Sequence, residues 1–148
     1  MKWRIVTFGK PALRYAQLGV DEYLKRLRKY AKVEIRQLRT VPEPKATALQ
    51  EEASRGCLRI VLDERGRRDL DTEAFARWVT EREMDGAHRE VALMIGASDG
   101  HSQATRDSAD LLLSLSPFTL QHELALVVAL EQLYRVYSLK ARSPYHRP

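Results

Sequence analysis

The segment Val91–Tyr137 constrains the fold most, because it joins two apolar runs and a long apolar helix through loops. The first run, Val91–Ile95, stops at the small-residue loop Gly96–Gly100. The second, Leu111–Leu115, enters the loop Ser116–His122 before the helix begins near residue 123. Short apolar runs bounded by loops are typical of buried strands in a parallel sheet. Open α/β sheets bind ligands beyond the carboxyl ends of such strands, so this segment predicts a ligand site.

The rest of the chain alternates strand and helix patterns, with a polar turn predicted at Asp63–Arg68. The predicted strands cover residues 2–8, 33–38, 58–62, 91–95 and 111–115, and the predicted helices cover residues 11–30, 46–56, 72–84, 103–110 and 123–140. This order predicts an α/β fold, a mainly parallel sheet with helices on both faces. A length of 148 residues fits one domain spanning residues 1–148.

Composition limits the compartment and the class of protein. No charge-free apolar run reaches about 18 residues, so no membrane span is expected. The opening residues Met1–Val6 have no signal-peptide pattern and are interpreted as the start of a strand. A single cysteine, Cys57, excludes an intramolecular disulfide and a cysteine-based zinc cluster. A reducing cytoplasmic location is therefore expected.

Basic residues are concentrated at the two ends of the chain. Residues 1–41 hold 11 lysines and arginines against three acidic residues. The last 14 residues hold four basic residues and no acid. An anionic partner is indicated, with nucleic acid the leading candidate and a solvated basic surface the alternative.

The sequence lacks the motifs of several kinds of active site. The four histidines form no HExxH pair, so no metal site is expected, and no Gly-x-Ser-x-Gly elbow or P-loop occurs. Ser98 or Ser102 beside His101 suggests a nucleophile pair, but a helix cap is the favoured interpretation of Ser102. Gly96 and Gly100 allow either a close approach of backbone to a ligand or an ordinary β–α turn.

The last helix and the tail carry the remaining polar candidates. Glu131 and Arg135 are four residues apart in an otherwise apolar helix, which indicates either a site or an internal salt bridge. Tyr145, His146 and Arg147 combine a stacking phenol, an imidazole and a guanidinium. Such groups suit RNA recognition, and a frayed terminus is the alternative.

Motifs along the whole chain resemble the RlmH family of SPOUT-class methyltransferases. The matching stretches are Lys2–Gly9, Leu62-Asp63, Leu93–Gly96 with Gly100, Leu115-Ser116 with Thr119, Leu120 and His122, Glu131–Arg135, and Pro144–Arg147. The family transfers methyl from S-adenosylmethionine to N3 of a pseudouridine in 23S rRNA, in the helix 69 loop. The resemblance implies a C-terminal trefoil knot, which no sequence rule predicts, and a homodimer.

The resemblance also implies site residues. The cofactor-binding residues would be Leu62, Gly96, Leu115, Ser116, Pro117, Phe118, Thr119 and Leu120. The catalytic, RNA-side residues would be Tyr145, His146, Arg147 and Arg135, with the tail reaching the other subunit's cofactor and Glu131 and Tyr134 supporting the same composite site. The stretch between Gly96 and His122 would then hold the methyl donor, and the tail would supply the other half of the site.

The chain departs from the family at three places. Residues Gly96–Gly100 are Gly-Ala-Ser-Asp-Gly, where the family usually has Gly-Gly-Pro-Glu-Gly. Residues Gln121–Glu123 are Gln-His-Glu, where the family usually has Pro-His-Pro. Leu126 occupies the position of a usual arginine. Two alternatives therefore stay open: a non-catalytic RNA- or ribosome-binding module with this fold, and a methyltransferase acting on another RNA base.

The rate of methyl transfer from a sulfonium depends mainly on in-line placement of the nucleophile. Removal of the weakly acidic N3 proton would be helped by a base, His146 or His122. The negative charge that develops on the pseudouridine ring would be stabilised by a cation, Arg147 or Arg135.

Overall fold

Five strands and five helices alternate along the chain in a computed structural model that describes residues 1–148. The strands are β1 (Lys2–Phe8), β2 (Lys32–Leu38), β3 (Leu58–Arg67), β4 (Glu90–Ile95) and β5 (Leu111–Leu113). The helices are α1 (Arg14–Leu27), α2 (Lys45–Ala53), α3 (Thr72–Asp85), α4 (Gln103–Asp107) and α5 (His122–Lys140). The predicted order of elements is confirmed.

The five strands form one parallel sheet in the order β2-β1-β4-β3-β5. Its central strands β1, β4 and β3 are the most apolar, because they are covered on both sides. Trp3, Ile60 and Leu93 belong to a large apolar cluster that includes residues of α1, α3 and α5. Val61 and Met94 belong to a second cluster that includes Ala53 of α2. Helices on both faces are therefore confirmed.

Local capping explains where two helices begin and one ends. The side chain of Asp71 accepts a hydrogen bond from the backbone N–H of Ala74 at the start of α3, which ends at left-handed Gly86. Ser102 Oγ accepts from the N–H of Thr105 at 3.2 Å and caps α4. The cap interpretation of Ser102 is confirmed.

The predicted polar turn at residues 63–68 is wrong, because β3 continues through it to Arg67. A bulge follows Leu62, and Arg67 then pairs with Leu113 of β5. The backbone N–H of Ser114 donates to the carbonyl of Arg67 at 3.0 Å. Gly66 permits this crossing, since a Cβ there would lie 2.6 Å from the backbone of Leu113.

Four elements are shorter than predicted, namely α1, α2, α4 and β5. β5 ends at Leu113 because Ser114 donates to Arg67 outside the regular ladder, so Leu115 belongs to a loop. α4 ends at Asp107. None of the five helices is both long enough and apolar enough to cross a membrane. The trefoil knot stays a prediction.

Candidate active site

β4 and β5 end together at one edge of the sheet, level with Leu62 of β3, where the bulge in β3 begins. Leu62 pairs with Ile95 and with Leu113, the last residues of β4 and β5, which aligns the carboxyl ends of these two strands. The loops beyond these ends enclose a cavity of about 430 Å³. A volume of this size lies within the range of small-molecule sites in proteins. A cavity thus lies where the ligand crevice was predicted from Val91–Tyr137.

Seven of the eight predicted cofactor-binding residues line this cavity. They are Leu62, Gly96, Leu115, Ser116, Phe118, Thr119 and Leu120. The eighth, Pro117, lies in the same exposed loop but outside the wall. The walls also contain the carboxylates of Asp63, Glu64 and Asp99 against one arginine, Arg65. Arg65 and Arg106 pair with Asp63, which leaves Glu64 and Asp99 without an ion pair, and these two carboxylates favour a ligand that carries positive charge.

The loop between β5 and α5 is held by its own side chains. Ser116 Oγ accepts from the N–H of Phe118 at 2.9 Å, and Ser114 Oγ donates to the Ser116 carbonyl at 2.9 Å. Gln121 accepts from the first N–H groups of α5 and caps it. These bonds fix the loop while the ring of Phe118 remains 81% exposed at the rim of the cavity.

The loop after β4 closes on itself. Gly100 N–H donates to the Ala97 carbonyl at 2.8 Å, and Gly100 has a φ of +77°. A Cβ on Gly96 would lie 3.1 Å from the backbone of Gly100. Loop closure therefore accounts for both glycines, which favours the β–α turn interpretation over a glycine reserved for close ligand approach.

Arg106 joins the bulged part of β3 to the loop that follows β4. It donates to the carbonyl of His101 at 2.6 Å and lies 3.7 Å from the carboxylate of Asp63. The Asp63 side chain is 4% exposed and also accepts from the N–H of Arg65 at 2.9 Å. These contacts make two walls of the cavity one rigid unit.

His101 lies buried in the cavity wall and does not pair with a serine nucleophile. Its Nδ1 faces Gln50 Nε2 at 3.0 Å, while Ser102 bonds Thr47 and Thr105. Burial lowers the pKa of His101 against the opposing effect of nearby Asp63, so the ring is neutral. The nucleophile-pair hypothesis is therefore not supported by the geometry.

The tail folds back onto α5 of its own chain. Tyr145 Oη lies 3.2 Å from both Tyr23 Oη and Glu131 Oε1. Arg135 pairs with Glu131 at 2.5 Å and lies over the Tyr145 ring at 5.0 Å. Burial raises the pKa of Tyr145, assisted by Tyr23 and the Glu131 carboxylate, so the group is a neutral phenol. The pairing predicted for Glu131 and Arg135 is present, within a larger cluster.

His146 and Arg147 differ in their surroundings. His146 Nδ1 lies 3.2 Å from Arg135 Nη1, and its Nε2 lies 3.6 Å from Glu73 of α3. Arg147 is exposed, without an ion pair. The tail cluster, defined as Glu131, Arg135, Tyr145 and His146, does not line the cavity of the same chain.

A second, mostly apolar cavity of about 310 Å³ adjoins the first. The two share Leu62, Ser114 and Leu115, and Phe75 of α3 and Val128 of α5 complete the apolar side. The hydroxyl of Thr72 donates to Gln132 Oε1 at 2.6 Å beside it.

Sequence reasoning missed the polar residues that act through long-range contacts. Gln50, Tyr23 and Glu73 come from helices far from the segment on which the site was predicted. One signal was available in the sequence: Gln50 has helical spacing from Ala46 and Ala53, and a glutamine on an apolar face needs partners.

Comparisons with known proteins agree with this architecture. Residues 1–146 match the family described as "Predicted SPOUT methyltransferase". The chain is 48% identical over 153 residues to "Ribosomal RNA large subunit methyltransferase H" of Thermus thermophilus, with 100% of both chains covered. It is 40% identical to the protein of that name from Deinococcus radiodurans, with 99% of both covered.

Solved structures share the fold at low sequence identity. The tRNA (m1G37) methyltransferase of Aquifex aeolicus superposes with a TM-score of 0.58 at 15% identity, covering 100% of this chain and 77% of that one. A Legionella pneumophila protein, described as a methyltransferase with the bound cofactor SAM, gives 0.51 at 16% identity over 91% and 66%. The solved structures show the fold, whereas the full-length sequence identities show the family. The chain belongs to the SPOUT methyltransferases, within the family of ribosomal RNA large subunit methyltransferase H, or RlmH.

Proposed function

We propose that this chain methylates N3 of a pseudouridine in the helix 69 loop of 23S rRNA, with S-adenosylmethionine as methyl donor. The observation that carries the proposal is the cavity at the strand ends, whose wall contains seven of the eight residues expected to bind the cofactor. The names of full-length relatives give the RNA class: those proteins are ribosomal RNA large subunit methyltransferases.

The residues present fit S-adenosylmethionine. Glu64 and Asp99 line the walls without an ion pair, which suits a ligand with a sulfonium and an ammonium group. When bound, S-adenosylmethionine supplies an electrophilic methyl group on sulfur.

The chain's own groups would bind the cofactor and orient it. Leu62, Leu115 and Leu120 exclude water from one side of the cavity, and the backbone of the loop after β5 offers hydrogen-bonding groups. Glu64 holds Thr119 through a hydrogen bond of 3.1 Å and fixes the outer part of that loop. Orientation of this kind is what an in-line methyl transfer requires.

The tail would act on the RNA base. Arg147 is free to meet a phosphate or a base edge, and Arg135 is placed beside His146 to stabilise developing negative charge. His146 would be the base for the N3 proton, and in the cluster its Nδ1 accepts a hydrogen bond from Arg135.

We also propose a homodimer in which the tail of one subunit meets the cavity of the other. The tail cluster does not line the cavity of its own chain, so one copy does not assemble both halves of the site. Apolar side chains support an interface on the first half of α5, where Leu124, Val127 and Val128 are only half-buried. Leu18 of α1 is 53% exposed. Action on a large ribosomal subunit or assembled ribosome implies a cytoplasmic location.

Mapping modified nucleotides in ribosomal RNA from a strain that lacks the gene tests the proposal. The methyl group at N3 of one pseudouridine in 23S rRNA should be absent and return on complementation. Calorimetry with S-adenosylmethionine tests the non-catalytic alternative, which requires that no binding occurs at millimolar cofactor. Loss of a methyl group from a different base would favour a related methyltransferase of other specificity.

A further inference from the structure

The C-terminal end of α1 presents a group of positive charges to solvent. The group, called here the basic end of α1, consists of Lys25, Arg28, Lys29 and Lys32, which are all exposed. The chain keeps a helical turn past Leu27, because the N–H groups of Tyr30 and Ala31 both donate to its carbonyl. Residues three and four apart in a helical turn are neighbours, so the charges at positions 25, 28 and 29 lie close together.

No acidic side chain neutralises the basic end of α1. The sequence contains no acid between Glu22 and Glu34. Glu22 is bonded to Arg26 at 2.8 Å. Glu34 lies within 3.7 Å of other basic groups, on Lys2, Arg4 and Arg36. The four side chains of the basic end therefore have no ion pair.

Helix stability does not explain this arrangement. A cation in the last turn of a helix interacts favourably with the helix dipole, and Lys25 and Arg26 occupy that turn. Lys29 and Lys32 lie beyond the helix, where the dipole interaction falls off. Like charges one turn apart repel each other and lower stability. An anionic partner would remove this repulsion.

The basic end of α1 adjoins the tail cluster. Tyr23 Oη lies 3.2 Å from Tyr145 Oη. The guanidinium carbon of Arg26 lies 5.8 Å from the ring centroid of Tyr134, and that ring meets the Tyr145 ring at 4.6 Å between centroids. The last turn of α1 and the tail therefore form one continuous surface.

The two halves of α1 differ in the side chains that they expose. The segment before and within its first half exposes the apolar side chains of Leu13, Tyr15 and Leu18. In the proposed homodimer, Leu18 belongs to the apolar interface. The basic end lies two turns further along the helix, so it remains available to a different partner.

We propose that the basic end of α1 binds phosphate groups of the RNA that is methylated, and that it extends the RNA-binding surface outward from the tail cluster. The inference rests on the proposed function, because it takes the tail to act on RNA. Lysine and arginine are the side chains that neutralise nucleic-acid phosphates. Phosphate contacts position an RNA without reading its sequence, so selection of the target base stays with the tail and the cavity.

Removal of two of these charges tests the proposal. Lys25→Gln/Arg28→Gln changes one lysine and one arginine that are exposed and have no ion pair. Affinity for large ribosomal subunits that lack the modification should fall about tenfold at physiological salt. Between about 50 and 300 mM potassium chloride, the slope of log affinity against log salt should become shallower by about 1.5, since each phosphate contact contributes about 0.7 to 0.9.

Steady-state methylation gives a second readout. The KM for large subunits should rise by the same factor as the dissociation constant, and kcat should change less than about twofold, because the lost contacts bind substrate and transition state equally.

Lys45→Gln/Arg89→Gln is the matched control. It also removes one exposed lysine and one exposed arginine without ion pairs, but from the start of α2 and the loop before β4. The control has the same net charge as the test variant and should keep the affinity and salt slope of the wild type. Equal affinities and slopes for the two variants would overturn the proposal.

Protein-free 23S rRNA distinguishes RNA from a protein partner. The test variant should bind this RNA more weakly than the control, again with a shallower salt slope. A loss of affinity for ribosomal subunits but not for protein-free RNA would assign the basic end to an acidic ribosomal protein and overturn the proposal.

Thermal unfolding distinguishes RNA binding from a structural role. The midpoint of Lys25→Gln/Arg28→Gln should not fall below that of the wild type, because removing two like charges relieves repulsion. A lower midpoint with unchanged RNA affinity would show a structural role and overturn the proposal. If the wild type neither binds large subunits nor transfers methyl to them, the proposed function fails and this inference fails with it.

Discussion

Arg135 donates from Nη1 to Nδ1 of His146 at 3.2 Å and thereby fastens the C-terminal tail to α5. The same guanidinium pairs with Glu131, which also meets the hydroxyl of Tyr145. The tail is therefore an ordered part of the molecule through His146, and the frayed-terminus alternative is contradicted for these residues. Arg147, the next residue, is presented to solvent at the end of a fixed support.

Replacing Arg147 by alanine should reduce methylation without changing stability. The side chain is exposed and has no ion pair, so the free energy of unfolding should stay within about 0.5 kcal/mol of wild type. Loss of one charged contact to RNA should lower kcat/KM about tenfold or more. Methyl incorporation into ribosomes and calorimetry with the cofactor check the two effects, and affinity for the cofactor should not change.

Arg77→Ala is the matched control, because Arg77 is also an exposed arginine without an ion pair but lies on α3. Equal activity of Arg147→Ala and Arg77→Ala would contradict an RNA-side role for the tail.

Replacing Gly66 by alanine should destabilise the fold. The new Cβ would lie 2.6 Å from backbone atoms of Leu113, where no side chain can turn away. Forcing the two segments apart should cost about 1 to 3 kcal/mol, measured by denaturant unfolding. Gly56→Ala serves as the comparison, because Gly56 has a positive φ but nothing within 4 Å of its Cβ position. A smaller loss at Gly66 than at Gly56 would argue against the crossing.

Replacing Phe118 by alanine should weaken cofactor binding and leave stability unchanged. The ring is 81% exposed at the rim of the cavity, so its removal opens no hole in the core. A bound cofactor that covers part of the ring should lose about five- to tenfold in affinity when the ring is removed. Calorimetry with S-adenosylhomocysteine measures this, and an unchanged dissociation constant would place Phe118 away from the ligand.

The carboxylate of Glu123 should make stability fall in acid. The N–H groups of Leu13 and Ala12 donate to it and hold its pKa below the ordinary value of 4.5. A lowered pKa in the folded state means that the contribution is fully present above pH 4.5 and is lost as pH falls through the lower folded value. Denaturant unfolding between pH 3 and pH 7, a range of about four units, should show a steeper acid loss for wild type than for Glu123→Gln. Parallel curves would contradict the assignment.

Local patterns predicted most of the fold. The apolar runs at residues 58–62 and 91–95 form central strands, and Asp71 and Ser102 cap the helices that follow them, because strand burial and helix capping depend on neighbouring residues. The position of the cavity followed as well, since parallel strands bring their carboxyl ends to one edge.

Local sequence patterns could not predict contacts between residues that are far apart in the chain. The segment after Leu62 is polar and resembles a turn, yet it extends β3 because Leu113 lies beside Gly66 in the folded chain. Gln50 reaches His101 across 51 residues, and Tyr23 reaches Tyr145 across 122. Periodicity carries no information on such pairs, so the polar support of the site became visible only in the structure.

Methyl transfer from labelled S-adenosylmethionine to ribosomes that lack the modification tests the central claim most directly. The purified protein should incorporate one methyl group per 23S rRNA, and mass spectrometry of RNase fragments should place it on N3 of a pseudouridine in the helix 69 loop. Absence of incorporation by a folded protein that binds the cofactor, or a methyl group on another base, would contradict the account.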